Sequence, residues 1–125
     1  MIFTRVALAV LLASTFVAPV AAEDTKWGAL ALDTAKAEQA PAYGIGGGDT
    51  EEEAVANAVN FCNEAEGAAC KSVVTYEQCG ALAVSGKGDA GWGKSATKLT
   101  AETQALAGCD NDACKVVVSD CNSEE

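Results

Sequence analysis

The pattern of apolar and polar positions predicts the same succession of elements twice along the chain. Segments that alternate weakly between small and larger apolar residues suit β-strands, and each is followed by a glycine-containing strand. Apolar residues at helical spacing between Thr50 and Cys62 predict a helix, and a less regular version of the pattern ends at Cys109. The closing strands are rich in β-branched residues. The predicted elements are strands 27–32 and 43–46, helix 50–62 and strand 72–76, then strands 79–84 and 90–93, helix 97–109 and strand 116–119.

Comparison of the chain with itself indicates that the two runs are copies of one unit. Matching residues are 52 positions apart in the first strands, as in Gly28 and Gly80, then 47 apart in the second strands and helices, and 44 apart in the last strands. The separation falls in two steps, so the second copy has lost residues at two points, as loops tolerate. We predict a single domain, 23–125, of two internal repeats at about 27–78 and 79–121.

The helix faces that would contact a sheet are rich in alanine, which lets a helix approach a sheet closely. Threonine stands at the start of both helices, and Thr50 with Glu53 has the capping-box pattern. The sequence therefore predicts an α+β fold. Two ββαβ-like repeats would form one antiparallel or mixed sheet of about six strands, with two helices packed on it and disulfides stapling it.

The first 22 residues have the layout of a secretory signal peptide. Arg5 precedes an apolar run at 6–17, and small residues lead up to Ala22. We therefore predict that 1–22 is cleaved and that the mature chain is periplasmic or extracellular. The apolar run is shorter than the roughly 20 residues that span a bilayer, so we expect no membrane insertion after cleavage.

The net charge of the mature chain limits the classes of molecule that we expect it to bind. Removal of Arg5 with the signal peptide leaves seven lysines against eighteen acidic residues, a net charge of −11. Such a field repels nucleic acid and anionic lipid, so neither is expected as a partner. It attracts a cationic protein or peptide, although a high charge also serves solubility alone.

All six cysteines follow the predicted signal peptide, and an even number in an exported chain predicts disulfides. Fifteen connectivities are possible, and repeat symmetry favours one of them. The favoured bridges are Cys62 with Cys70, Cys109 with Cys114 and, as the remaining pair, Cys79 with Cys121. A zinc site or a redox-active pair is disfavoured, because the chain has no histidine and no Cys-x-x-Cys motif.

The glycine-rich segment 43–49 precedes a helix, as a phosphate-binding loop does. Carboxylates at Asp49 and at 51–53 would repel a phosphate there, so we assign these glycines to a tight turn with positive φ. The mature chain also lacks histidine and arginine, and no serine lies in a Gly-x-Ser-x-Gly motif. We therefore predict no enzyme activity, no catalytic residue and no cofactor.

The loop from Cys109 to Cys114 contains Asp110, Asn111 and Asp112, whose oxygens are calcium-ligand types. It is shorter than an EF-hand loop and lacks the closing glutamate, so a polar turn clamped by a disulfide is favoured and no metal site is predicted.

Trp92 is the predicted contact residue. It lies between Gly91 and Gly93, which give it no cover along the strand. Trp27, Tyr43 and Tyr76 are expected to fill the core. Exposed tryptophan is a frequent anchor of binding surfaces, so we predict that Trp92 contacts a partner.

Five short segments of the mature chain carry a resemblance to a known family. They are Trp-Gly-Ala-Leu-Ala at 27–31, Cys-Lys-Ser-Val-Val at 70–74, Cys-Gly-Ala-Leu-Ala-Val at 79–84, Gly-Trp-Gly at 91–93 and Cys-Lys-Val-Val-Val at 114–118. Together they resemble the bacterial family called domain of unknown function 4189, and the resemblance covers nearly all of the mature chain. It implies a small exported bacterial protein. It supplies no catalytic residue.

These features favour a protein-binding or inhibitor-like module for a cationic partner, such as a cell-wall hydrolase. The alternative is a structural or stress-related protein of the cell envelope with no discrete ligand. A carboxylate-based enzyme is the third and least favoured hypothesis. It stays open because acidic residues are the abundant catalytic groups that remain in the chain.

Overall fold

A computed structural model of the chain describes residues 25–33 and 41–122. The predicted signal peptide at 1–22 lies outside these residues. Neither helix of the described part is long and apolar enough to span a bilayer. In chain order, the elements are β1 (Trp27–Asp33), β2 (Tyr43–Gly48), α1 (Glu51–Glu64), β3 (Cys70–Tyr76), β4 (Cys79–Val84), β5 (Ala90–Ser95), α2 (Lys98–Cys109) and β6 (Lys115–Cys121).

The six strands form two three-stranded antiparallel sheets. In the first sheet β1 lies between β2 and β3, and in the second β4 lies between β5 and β6. The register shifts after Leu30 where β1 pairs with β3, and it shifts again after Leu82 where β4 pairs with β6. The α+β class is confirmed. Each sheet together with its helix forms one unit, with β1, β2, α1 and β3 in the first unit and β4, β5, α2 and β6 in the second. Both units have the same strand order and the same bulge.

The predicted single sheet of about six strands is wrong, because the two sheets are separate and pack face to face. Ala29 and Ala31 of β1 contact α1, whereas Leu30 and Leu32 join Leu82 of β4 in a core between the sheets. One sheet with both helices on the same face would leave these leucines in water. Stacking the sheets buries them, and the layers run helix, sheet, sheet, helix.

Glycines on β2 and β5 let these strands lie directly on the helix backbones. A Cβ atom on Gly44 would stand 2.2 Å from the Ala58 carbonyl oxygen, and one on Gly91 would stand 2.1 Å from the Cys109 backbone nitrogen. No side chain fits in either place. Alanines on the facing side of each helix complete the close approach.

The tight turn with positive φ that we predicted at 43–49 is therefore wrong. β2 continues to Gly48 as a strand. Among the glycines of the described residues, positive φ occurs at Gly86 and Gly88, in the loop between β4 and β5. The glycines of β2 are required because they lack a side chain, and not because of their φ angles.

Both helices begin at a threonine cap. The Thr50 hydroxyl accepts a hydrogen bond from the backbone N–H of Glu53 at 3.2 Å, and the Thr97 hydroxyl accepts one from Thr100 at the same distance. Each bond satisfies one of the free donors of the first helical turn.

Three disulfides hold the domain, and no described cysteine is free. The bridges join Cys62 to Cys70, Cys109 to Cys114 and Cys79 to Cys121. These are the pairs that repeat symmetry favours. The first two link the end of each helix to the following strand region, and the third links the first and last strands of the second unit.

Tyr76, at the end of β3, fills the space between the two units. A Cβ atom on either Gly28 of β1 or Gly80 of β4 would stand 2.3 Å from its ring, so the ring lies against both central strands. Its hydroxyl donates to a carboxylate oxygen of Asp120 at 2.8 Å. Burial, then the hydrogen bond to Asp120 and its negative charge, raise the pKa of Tyr76 far above its usual value.

Tyr76→Phe should keep the ring packing and remove the sensitivity of the fold to alkaline pH. Folded Tyr76 holds its proton at a pH where the unfolded residue, with a pKa of about 10, has lost it. The unfolded state then binds fewer protons, so stability falls as pH rises above about 10, by up to about 1.4 kcal/mol per pH unit. Urea unfolding of wild type and variant between pH 8 and 11.5 measures this slope.

At neutral pH the variant should be about 1 to 2 kcal/mol less stable, because it lacks the hydrogen bond to Asp120. The two stabilities should converge as pH rises. Tyr43→Phe, at the exposed start of β2, is the matched control and should keep the alkaline loss. Equal slopes in wild type and Tyr76→Phe would contradict the assignment.

Candidate functional site

Trp92 is the predicted contact residue, and the structure places it on β5, an edge strand of the second sheet. It pairs across the strands with Leu82 of β4. Cross-strand partners share a face, so the indole lies on the side that faces the other sheet, while Gly91 and Gly93 face α2. The side chain is 45% exposed, which leaves it available at the edge of the interface.

A small cleft of about 90 Å³ opens beside Trp92. Leu32 at the end of β1 and Val84 at the end of β4 come from different sheets and form its apolar wall, together with Ala90. Asp33 and Asp89 also line the cleft. The site is therefore a largely apolar cleft that is bordered by one aromatic residue and by the exposed Asp89.

The two aspartates differ in their surroundings. Asp33 is fully buried, and its Oδ2 accepts a hydrogen bond from the backbone N–H of Ala68 at 2.9 Å. Asp89 is exposed, in the loop between β4 and β5. Its Oδ2 accepts from the Asn111 amide at 2.7 Å and from the Ser85 hydroxyl at 3.4 Å. The exposed carboxylate is thus fixed in position by two donors.

The loop from Cys109 to Cys114 meets the edge of the cleft through that bond from Asn111. The Asn111 side-chain oxygen accepts from the backbone N–H of Ala113 at 2.8 Å, and its carbonyl accepts from Cys114. Asp110 ends α2 in the left-handed conformation. These contacts describe a polar turn clamped by a disulfide. The described residues contain no group of three or more His, Cys, Asp or Glu side chains that could hold a metal ion.

The sequence indicated Trp92 but not the rest of the cleft. The sequence pattern predicts Leu32 and Val84 as ordinary strand residues, and it predicts Asp89 as a turn residue beside Gly88. The repeat contained a signal: the position of Trp92 in the second unit is that of Ile45 in the first. Ile45 packs in the core between the sheets, so its counterpart is expected to border the same interface.

Charge is distributed unequally between the two units. Between residues 41 and 70, which include β2 and α1, the chain has no lysine or arginine. All acidic residues of this stretch are exposed, namely Asp49, Glu51, Glu52, Glu53, Glu64 and Glu66. The corresponding part of the second unit mixes both signs, with Lys94 and Lys98 near the start of α2. The outer face of the first unit is thus uniformly negative.

A family model described as Domain of unknown function (DUF4189) matches residues 27–121 of the chain. The matched span begins with the first residue of β1 and ends with the last residue of β6, so it includes both units and all three disulfides. No curated protein and no solved structure matches the chain.

Proposed function

This chain belongs to the DUF4189 family, and we propose that it is an exported binding module for a cationic protein or peptide. Three disulfides support export, because such bonds persist in oxidising compartments. They also support a binding role, because a rigid frame loses little conformational entropy when it binds.

The uniformly negative face of the first unit carries the proposal of a cationic partner. Six exposed carboxylates with no basic residue between them create a one-sided field. Such a field raises the rate at which an oppositely charged partner meets the surface, and it orients that partner. A solubility role alone would be served equally well by charges spread over both units.

Trp92 provides the proposed anchor. A partly exposed indole beside an apolar cleft can bury a large area when a partner covers it, and tryptophan is enriched among residues that dominate binding energy. The proposal therefore separates two roles, with long-range attraction from the first unit and short-range contact at the edge of the second.

Affinity capture from cell-envelope extract at low ionic strength should yield a basic partner whose binding weakens as salt is added. Glu52→Gln with Glu64→Gln should lower the association rate about two- to fivefold at low ionic strength. The matched control is Asp110→Asn with Asp112→Asn, which removes the same charge from the second unit. Its effect should be smaller, and both should fade in high salt.

Equal effects of the two double variants would show that net charge, and not the acidic face, attracts the partner. A capture that yields no salt-sensitive partner would contradict the proposal and favour the structural or stress-related role in the cell envelope.

A further inference from the structure

The volume of the cleft beside Trp92 limits the size of the group that it can hold. Its volume is about 90 Å³, smaller than the roughly 150 Å³ cavity that holds a benzene ring. Leu32 and Val84 give the cleft an aliphatic lining, and Trp92 also borders it. An alkyl chain of about four carbons fits a cleft of this volume better than a ring does.

The residues that border the cleft favour a ligand with a positive charge at the end of its alkyl stem. An indole face attracts cations, most strongly an ammonium or guanidinium group within about 6 Å of the ring. Asp89 adds a carboxylate that the Asn111 amide and the Ser85 hydroxyl hold in place. An apolar stem with a cationic end therefore complements both the wall and the opening.

We propose that the cleft is a binding site for the side chain of a lysine residue presented by the partner. The aliphatic stem would lie between Leu32 and Val84, and the ammonium group would lie between Trp92 and the Asp89 carboxylate. The planar guanidinium of arginine is wider than an ammonium group and suits a cleft of this small volume less well. The inference rests on the proposed function, since it names the group that the cationic partner would insert.

Tryptophan fluorescence can test the site directly. The chain has two tryptophans, so Trp27→Phe leaves Trp92 as the single reporter. Titration with Nα-acetyl-lysine N-methylamide should shift the emission with millimolar affinity, as expected for one exposed side-chain contact. The norleucine analogue has the same stem without the charge and should bind about tenfold more weakly. The arginine analogue should also bind more weakly than lysine.

Three variants in the same background locate the contacts. Asp89→Asn should weaken lysine binding about threefold and leave norleucine binding unchanged. Asp110→Asn, which removes an exposed carboxylate that does not line the cleft, is the matched control and should have no effect. Lys87→Gln removes a competing cation from the loop beside Asp89 and should strengthen binding slightly. Nuclear magnetic resonance shifts at Leu32 and Val84 give a readout that does not depend on Trp27→Phe folding normally.

Equal binding of lysine and norleucine would overturn the inference in favour of an unselective apolar cleft. The absence of any shift at Trp92, Leu32 and Val84 would overturn the site itself. These titrations use a small amide and no protein partner. Their failure therefore leaves salt-sensitive capture intact, while a positive titration with no captured partner would contradict the proposed function alone.

Discussion

Gly91→Ala should destabilise the domain by about 3 kcal/mol or more, a large part of the roughly 5 to 15 kcal/mol that holds a small domain folded. The added Cβ would stand 2.1 Å from the backbone nitrogen of Cys109 and 2.2 Å from the carbonyl oxygen of Ala105. Both atoms belong to the α2 backbone and cannot rotate away. The helix must therefore move off β5, which opens the alanine core beneath it.

Gly108→Ala is the matched control on the opposite side of the same contact. Its Cβ would meet the Cα of Gly91 at 3.5 Å, an ordinary van der Waals distance. Alanine is a better helix former than glycine, so this variant should be unchanged or up to about 1 kcal/mol more stable. Guanidinium unfolding without reductant measures both. A loss below about 1 kcal/mol in Gly91→Ala would show that helix and strand are farther apart than described.

The order of elements could be predicted because the signals are local and occur twice. Helical spacing predicted the end of α2 at Cys109 and placed the end of α1 at Cys62, two residues before the observed end at Glu64. The caps Thr50 and Thr97 predicted where both helices begin. Repeat symmetry then favoured one of the fifteen possible disulfide connectivities, and the structure contains that one. Each of these inferences needs only the spacing of residues along the chain.

The layering could not be predicted in the same way. The strand pattern of β1 reveals that Leu30 and Ala31 point to opposite faces, and both are fully buried. It does not reveal whether a helix, a second sheet or another chain covers the leucine face. The glycines of β2 were misassigned for a related reason, since their role depends on the distance to α1, which no local pattern encodes.

The candidate site also combines a feature that local sequence predicts with features that depend on the packing of the two sheets. The exposure of Trp92 could be predicted because its two neighbours in sequence are glycines, which give it no cover along the strand. The cleft could not, because Leu32 and Asp89 are far apart along the chain and meet through the stacking of the two sheets. A prediction of one six-stranded sheet cannot contain a cleft between sheets.

Removal of the Cys79–Cys121 bridge should have the largest effect of any disulfide change. It closes 42 residues of chain, against 5 for Cys109–Cys114. On the chain-entropy model these bridges contribute about 4 and about 2 kcal/mol, respectively. Cys79→Ala with Cys121→Ala should therefore cost about twice as much as Cys109→Ala with Cys114→Ala, and should lower the melting temperature by about 20 °C.

The two double variants are closely matched in burial. Each removes one buried cysteine, Cys79 at 2% or Cys109 at 4% exposure, and one partly buried cysteine. The loss of packing is therefore similar in both variants. The difference between their melting temperatures then reports the effect of the length of the closed loop. Calorimetry without reductant gives both melting temperatures. Equal losses would show that local packing at the sulfur atoms, rather than restriction of the unfolded chain, stabilises the domain. The first unit has Trp27 and Glu77 at the positions of this bridge, so the second unit is the one whose fold depends on it.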